Sequence, residues 1–229
     1  EDRLVVGDWT RIRAVAAGPD RVFIVSPDGV LAFSPLLRRW EGPFVPPVPG
    51  ALEQVTAGMI DPLANSLWLS AFDGWVHFQP DVQVWARGEA GGRLLDFAFD
   101  LAAPFEGLHF RTSAGWFKVP RGALVPVPAS APIRPVRPAT VSDALASNPA
   151  LGGAASAFLL DPSLQNARLT SAARSFDNLG WYLGTDGVGA LFVADGMVVP
   201  QRLHFGLPGP VVGAIYAVLL AFVVITVWD

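Results

Sequence analysis

The chain reads as short apolar bursts broken by turns, with no long helical stripe before the C-terminal end. Four times an apolar stretch rich in aromatic and branched side chains runs into a tight turn containing glycine, and a second apolar stretch follows. The first copy spans Val22 to Phe33 and turns at Asp28-Gly29; the second spans Leu67 to Phe78 and turns at Asp73-Gly74. The third, Leu108 to Val119, turns at Ala114-Gly115, and the fourth, Trp181 to Val193, at Asp186-Gly187. This pattern predicts β-hairpins in which the glycine supplies a positive φ. One further strand is expected ahead of each hairpin, over Ile12 to Ala16, Gln54 to Met59, Leu94 to Phe99 and Leu169 to Ala173.

The spacing of these glycines sets the architecture. Gly29 to Gly74 is 45 residues and Gly74 to Gly115 is 41, close to the roughly 40 to 50 residues of a four-stranded propeller blade. Gly115 to Gly187 is 72, which leaves about 30 residues over by the same blade length. The surplus lies between Pro120 and Pro162. Its prolines, recurring from Pro120 to Pro138, exclude helix and central strand and favour an extended crossing. A short helix over Ser142 to Ser147, with Ser142 and Asp143 as cap residues, is expected behind it.

Composition agrees. The chain has 23 Gly and 21 Pro and is 52% hydrophobic, which suits many strands joined by many turns and makes the expected class all-β, with β-propeller-like repeats. A formal charge of −4 with 16 scattered basic residues offers no basic stripe for phosphate contacts, so binding to nucleic acid or to anionic lipid through such contacts is not expected. Without cysteine there is no disulfide, thiolate metal site or cysteine nucleophile, and the compartment stays open on this ground.

The phrases from Leu67 to Gly74 and from Trp181 to Gly187 resemble the blade motif of bacterial two-component-regulator-type β-propellers: an aromatic-rich strand, a Gly-Thr or Ser pair, an Asp-Gly turn and another strand. The resemblance covers about a dozen residues in each of four units. It departs from the motif where only Gly184-Thr185 keeps the Gly-Thr pair and where Ala114 stands in place of Asp. It implies a binding or scaffold surface, and in its best-known setting an extracytoplasmic sensor module joined to a transmembrane helix.

From Pro210 to Trp228 there are 19 positions without a charge, Asn or Gln. As a helix the run would be roughly 28 Å long, near the bilayer's hydrocarbon thickness. The expected organisation is a propeller-like domain over 1–206, with its insertion at about 121–162, and a transmembrane anchor over 207–229 that includes Pro210, Tyr216, Phe222 and Trp228. The alternative is a pair of buried strands, Val211 to Val218 and Phe222 to Trp228; against it, the intervening Leu219-Leu220-Ala221 has no turn residue. Arg202 ahead of the run argues for a cytoplasmic domain, a processed N-terminus for an extracytoplasmic one, and the extracytoplasmic side is the expectation.

Catalytic signals are sparse. His77, His109 and His204 are far apart and none has metal-ligand spacing, so no catalytic residue, cofactor or metal is expected. Gly184 to Gly189 is glycine-rich, but no helix follows to make it a phosphate cradle. Asp28, Asp73 and Asp186 recur in a way that would suit a ring of carboxylates around a cation, although hairpin turns demand the same residues. Trp68, Trp75, Trp116 and Trp181 would line a ligand face or, as expected, fill contacts between units. The leading functional expectation is a non-catalytic, membrane-tethered scaffold, an accessory or stabilising subunit of a larger membrane complex of photosynthetic or respiratory type, with other subunits and the bilayer as partners. The alternatives are an extracytoplasmic ligand-sensing propeller and a propeller hydrolase or lyase.

Overall fold

The structure is a computed structural model and describes residues 8–61, 63–123, 125–148, 168–197 and 200–203. The expected anchor, with Pro210, Tyr216, Phe222 and Trp228, lies outside the described residues, as do His204 and much of the insertion. Among the described residues no helix is long and apolar enough to cross a membrane.

Four antiparallel sheets follow one another along the chain. The first holds β1 (Ala14–Ala17), β2 (Val22–Ser26), β3 (Gly29–Ser34) and β4 (Arg39–Phe44) in that order. The second repeats the order with β5 (Val55–Ile60), β6 (Leu67–Ala71), β7 (Gly74–Gln79) and β8 (Val84–Glu89). In the third, β9 (Asp96–Asp100), β10 (Leu108–Thr112) and β11 (Gly115–Val119) are flanked by two-residue edge strands, β12 (Val127–Pro128) beside β11 and β13 (Pro135–Val136) beside β9. After a helix, α1 (Val141–Ser147), the fourth sheet runs β14 (Arg168–Arg174), β15 (Gly180–Asp186), β16 (Ala190–Ala194) and β17 (Gln201–Arg202).

The sheets stack face to face, as propeller blades do. Phe23 and Val25 pack with Leu69 and Phe78 between the first and second sheets. Trp68 and Trp75 meet Phe97, Phe99 and Phe110 between the second and third. Ile12 and Ile24 meet Tyr182 and Ala190 between the fourth and first. On its other side the fourth sheet is covered by α1, whose Ala144 packs on Trp181 and Leu183. A central strand is thus buried on both faces, which is why β2 and β6 are wholly buried and apolar apart from Ser26 and Ser70, whereas the outer β4 and β8 are half-exposed.

Sequence and structure differ at the turns. Gly115 and Gly187 have φ of 126° and 118°, but Gly29 and Gly74 lie outside the left-handed region. What those two need is close approach. A Cβ on Gly74 would sit 2.2 Å from the Gly88 carbonyl oxygen of β8, and one on Gly29 would sit 2.9 Å from that of Phe44 at the end of β4. In the fourth hairpin Gly184 pairs with Ala190 and the Thr185 amide donates to the Gly189 carbonyl. Gly189, not Gly187, therefore occupies the place of Gly29, Gly74 and Gly115, because this turn is one residue longer. The helix also starts earlier than expected: Thr140 is its N-cap, in a capping box with Asp143.

Candidate functional site

The innermost strands of the sheets converge on a cavity of about 520 Å³ on the ring axis, toward the end that carries the hairpin turns. Val15 of β1, Thr56 and Gly58 of β5, Phe97 of β9 and Thr170 and Ser171 of β14 all line it, and Arg137 to Ser142 close its fourth side. Small side chains at these positions keep the axis open. A Cβ on Gly58 would meet Leu69 Cδ2 at 2.9 Å and Ala14 Cβ at 3.4 Å, so this glycine lets the first and second sheets approach closely.

The lining is hydroxyl-rich. Thr56 Oγ1 and Ser70 Oγ lie 3.0 Å apart, and Thr170 Oγ1 donates to the Ile12 carbonyl at 2.6 Å. Ser171 Oγ is buried and makes no hydrogen bond within the protein. That hydroxyl lies over Gly184 beside Ile12, where a Cβ on Gly184 would sit 2.3 Å from it, so it faces the junction of the fourth and first sheets and not the cavity. The charged groups cancel: Arg137 donates to Asp96 through Nε and Nη2, both at 2.9 Å. That fork holds the Asp96 carboxyl below the usual carboxylate range, helped by the Phe97 amide, and raises Arg137. The pair also ties the crossing segment to the third sheet.

The turn aspartates do different jobs. Asp28 accepts the Asp8 amide at 2.6 Å, Asp73 faces Arg87 at 3.9 Å, and Asp186 faces Arg11 at 3.6 Å. Among the described residues no group of three His, Cys, Asp or Glu side chains is placed to hold a metal. Trp68, Trp75 and Trp181 are buried between layers, while the half-exposed Trp116 carries the Arg111 guanidinium 5.9 Å from its ring.

Two histidine environments on the opposite end of the ring escaped the sequence, since their partners are distant in the chain. His77 Nε2 pairs with Ser66 Oγ at 2.8 Å and stacks on Trp68. Burial pushes its pKa down to about 4, against the pull of Asp61. The neighbouring Asp61 carboxylate accepts the Leu63 and Ala64 amides and pairs with Arg121 at 2.7 Å. Ser66 is 1% exposed, so this Ser-His pair with a nearby Asp presents no open nucleophile. His109 is buried near Asp100 and Glu106; burial lowers its pKa, and the two acids partly restore it. Burial also opposes the Asp100 charge, yet the Ile133, Arg134 and Ala102 amides together hold that carboxyl below its ordinary range.

No family model and no curated relative matches the chain. Solved structures share distant likeness. The extracellular domain of a putative hybrid two-component system from B. thetaiotaomicron is 11% identical, with a TM-score of 0.37 over 86% of this chain and 23% of that one. Apo AztD from Citrobacter koseri is 10% identical, with a TM-score of 0.43 over 84% of this chain and 46% of its own. The computationally designed Ika4 protein is 12% identical, with a TM-score of 0.39 over 84% and 96%. This chain spans about a quarter of the first and under half of the second. At these identities and TM-scores the likenesses establish neither family nor activity.

Proposed function

We propose that this is a non-catalytic, extracytoplasmic recognition domain of the sensing type, which takes a small, neutral, hydrogen-bonding ligand such as a polyol or sugar in the axial cavity. The observation that supports this reading is the set of Thr56, Ser70 and Thr170 hydroxyls along a cavity whose one ion pair is internally neutralised. A charged ligand would have to break the Asp96–Arg137 fork. A neutral one needs only hydroxyl partners.

Thermal-shift and calorimetric titration of the whole chain against neutral polyols, sugars and amides tests it. At least one compound stabilises the protein, and Ser70→Ala or Thr56→Val removes that stabilisation. A chain that binds none of these compounds, or binds them equally well after both substitutions, refutes the proposal.

A second reading, an accessory subunit of a larger membrane complex, is supported by the exposed Val125 and Val127 of the proline-rich crossing. Gentle detergent extraction followed by mass spectrometry separates the two: co-migration with a defined set of membrane subunits favours the scaffold.

A further inference from the structure

The hydroxyls along the axial cavity have their protons committed to the protein. Thr170 Oγ1 donates to the Ile12 carbonyl at 2.6 Å. Thr56 Oγ1 and Ser70 Oγ, 3.0 Å apart, share a bond that can run in either direction. If Thr56 donates to Ser70, the Ser70 proton goes to the Ala57 carbonyl at 3.4 Å. If Ser70 donates to Thr56, the Thr56 proton goes to the Ser70 carbonyl at 3.3 Å. Neither arrangement leaves a proton over, and a hydroxyl whose proton is committed has only lone pairs to offer. The second and fourth sheets therefore present acceptors to the cavity.

The third sheet and the crossing add an acceptor and a donor side by side. Asp96 and Arg137 both line the cavity. Their fork runs from Nε to Oδ1 and from Nη2 to Oδ2, each at 2.9 Å, and the Phe97 amide also donates to Oδ1. These bonds hold the Asp96 carboxyl below its ordinary range, so near neutral pH it accepts and does not donate. One lone pair of Oδ2, the second N–H of Nη2 and both of Nη1 lie outside the fork. Oδ2 and Nη2 thus hold an acceptor and a donor at about the spacing of two oxygens on neighbouring carbons.

We infer that the cavity selects a hydrogen-bond donor with hydroxyls on neighbouring carbons, a polyol or sugar, and that the Asp96–Arg137 fork clamps that vicinal pair. The inference rests on the reading of the cavity as a site for a neutral ligand. One hydroxyl of the pair donates to Asp96 Oδ2 and its neighbour accepts from Arg137 Nη2, so the ion pair stays intact. The other hydroxyls donate to Thr56, Ser70 and Thr170. Acceptors carried by the second, third and fourth sheets call for donors that spread in several directions. A simple carboxamide has its N–H groups on one nitrogen and an ether has none, so neither satisfies both the fork and the hydroxyls.

Titration calorimetry of the whole chain tests this with myo-inositol, D-glucose and D-mannitol, the fully O-methylated ether of each, and acetamide. At least one polyol binds, while its ether and acetamide do not at the same concentration. Arg137→Lys keeps the charge without the fork and weakens that polyol roughly ten- to a hundredfold, as loss of a hydrogen bond to a charged group does. Asp96→Asn has a similar effect. Monodeoxy analogues of the same polyol give a readout that a merely structural role would not move. In the parent chain at least one deoxygenation costs a comparable factor, and in Arg137→Lys that same deoxygenation costs nothing further. An ether or acetamide that binds as tightly as the polyol overturns the inference. So does a parent chain indifferent to every single deoxygenation, or a deoxygenation penalty that persists in full in Arg137→Lys. Those results leave the cavity standing as a neutral-ligand site, whereas a chain that binds none of the compounds overturns that reading and this inference together.

Discussion

At the scale of single residues, glycine does less turning and more yielding of space than its place beside aspartate implies. Gly74 pairs with Glu89 and Gly88 with Trp75 across β7 and β8: a Cβ on Gly88 would lie 2.2 Å from Trp75 Cζ2, and one on Gly74 would strike the Gly88 carbonyl. Gly74→Ala and Gly88→Ala should each destabilise by about 1–3 kcal/mol through overpacking, with Gly88→Ala also displacing a fully buried tryptophan. Asn in place of Gly115 meets open space but a φ of 126°, so its cost is backbone strain, about 1–3 kcal/mol, and not overpacking. Denaturant midpoints of the three variants decide the order. His77 gives a pH signature. Its pKa is about 6.5 unfolded and about 4 folded, so the folded state resists a proton that the unfolded state accepts. Its contribution is complete above pH 6.5 and is lost as pH falls toward 4, on the order of 2 kcal/mol once solvent screening is allowed for. His77→Gln retains a partner for Ser66 without titrating, and should flatten the fall in stability over that window.

Elements were legible in proportion to their burial. Central hairpins such as β6–β7 stand between two neighbours, so their apolar runs announce themselves, and the expected inner strands fall within two residues of β1, β5, β9 and β14. The outer strands were not legible, because Arg39–Phe44 and Val84–Glu89 are half-exposed and mixed in character. Nor were β12 and β13: proline excludes a central strand but not a two-residue edge, where a missing N–H faces away from the ladder. The axial cavity was invisible too, since Thr56, Arg137 and Thr170 meet only when β5, the crossing and β14 are wrapped around one axis. The crossing is itself a structural element, pinned by Arg137 to Asp96 and by α1 to β14. Thr140→Ala removes the acceptor for the Asp143 amide and the donor to its carboxylate, and should cost about 1 kcal/mol. If α1 seals the gap between the third and fourth sheets, amide exchange should quicken along β14 as well as along α1. Quickening confined to the helix would mean that the fourth sheet stands without it.

For the whole molecule, the question is what stops four stacked sheets from opening at the seam between the last and the first. Residues 8–12 cross it. Thr10 accepts the Gly187 and Gly189 amides at 2.7 and 3.1 Å, and the Ile12 amide donates to the Thr185 carbonyl at 2.8 Å. Thr170 bonds back to Ile12, and the Ile12 side chain, 1% exposed, fills the space that Gly184 leaves beside it. The first sheet is thereby fastened to the fourth through chain that precedes β1, joining residues more than 150 apart in sequence. Ile12→Ala should cost about 2–4 kcal/mol, as a buried isoleucine truncated in a packed interface does. Because the lost contact is the seam and not the interior of one sheet, cooperativity should fall along with stability. Amide exchange along β6 and β7, between the first and third sheets, should then report unfolding at higher denaturant than far-ultraviolet circular dichroism, and the two transitions should coincide in the parent chain. A comparably truncated residue inside one layer, Leu69→Ala, should lower stability while leaving the transitions together. If Ile12→Ala behaves in the same way, the seam is held elsewhere and the N-terminal strap is incidental to closure.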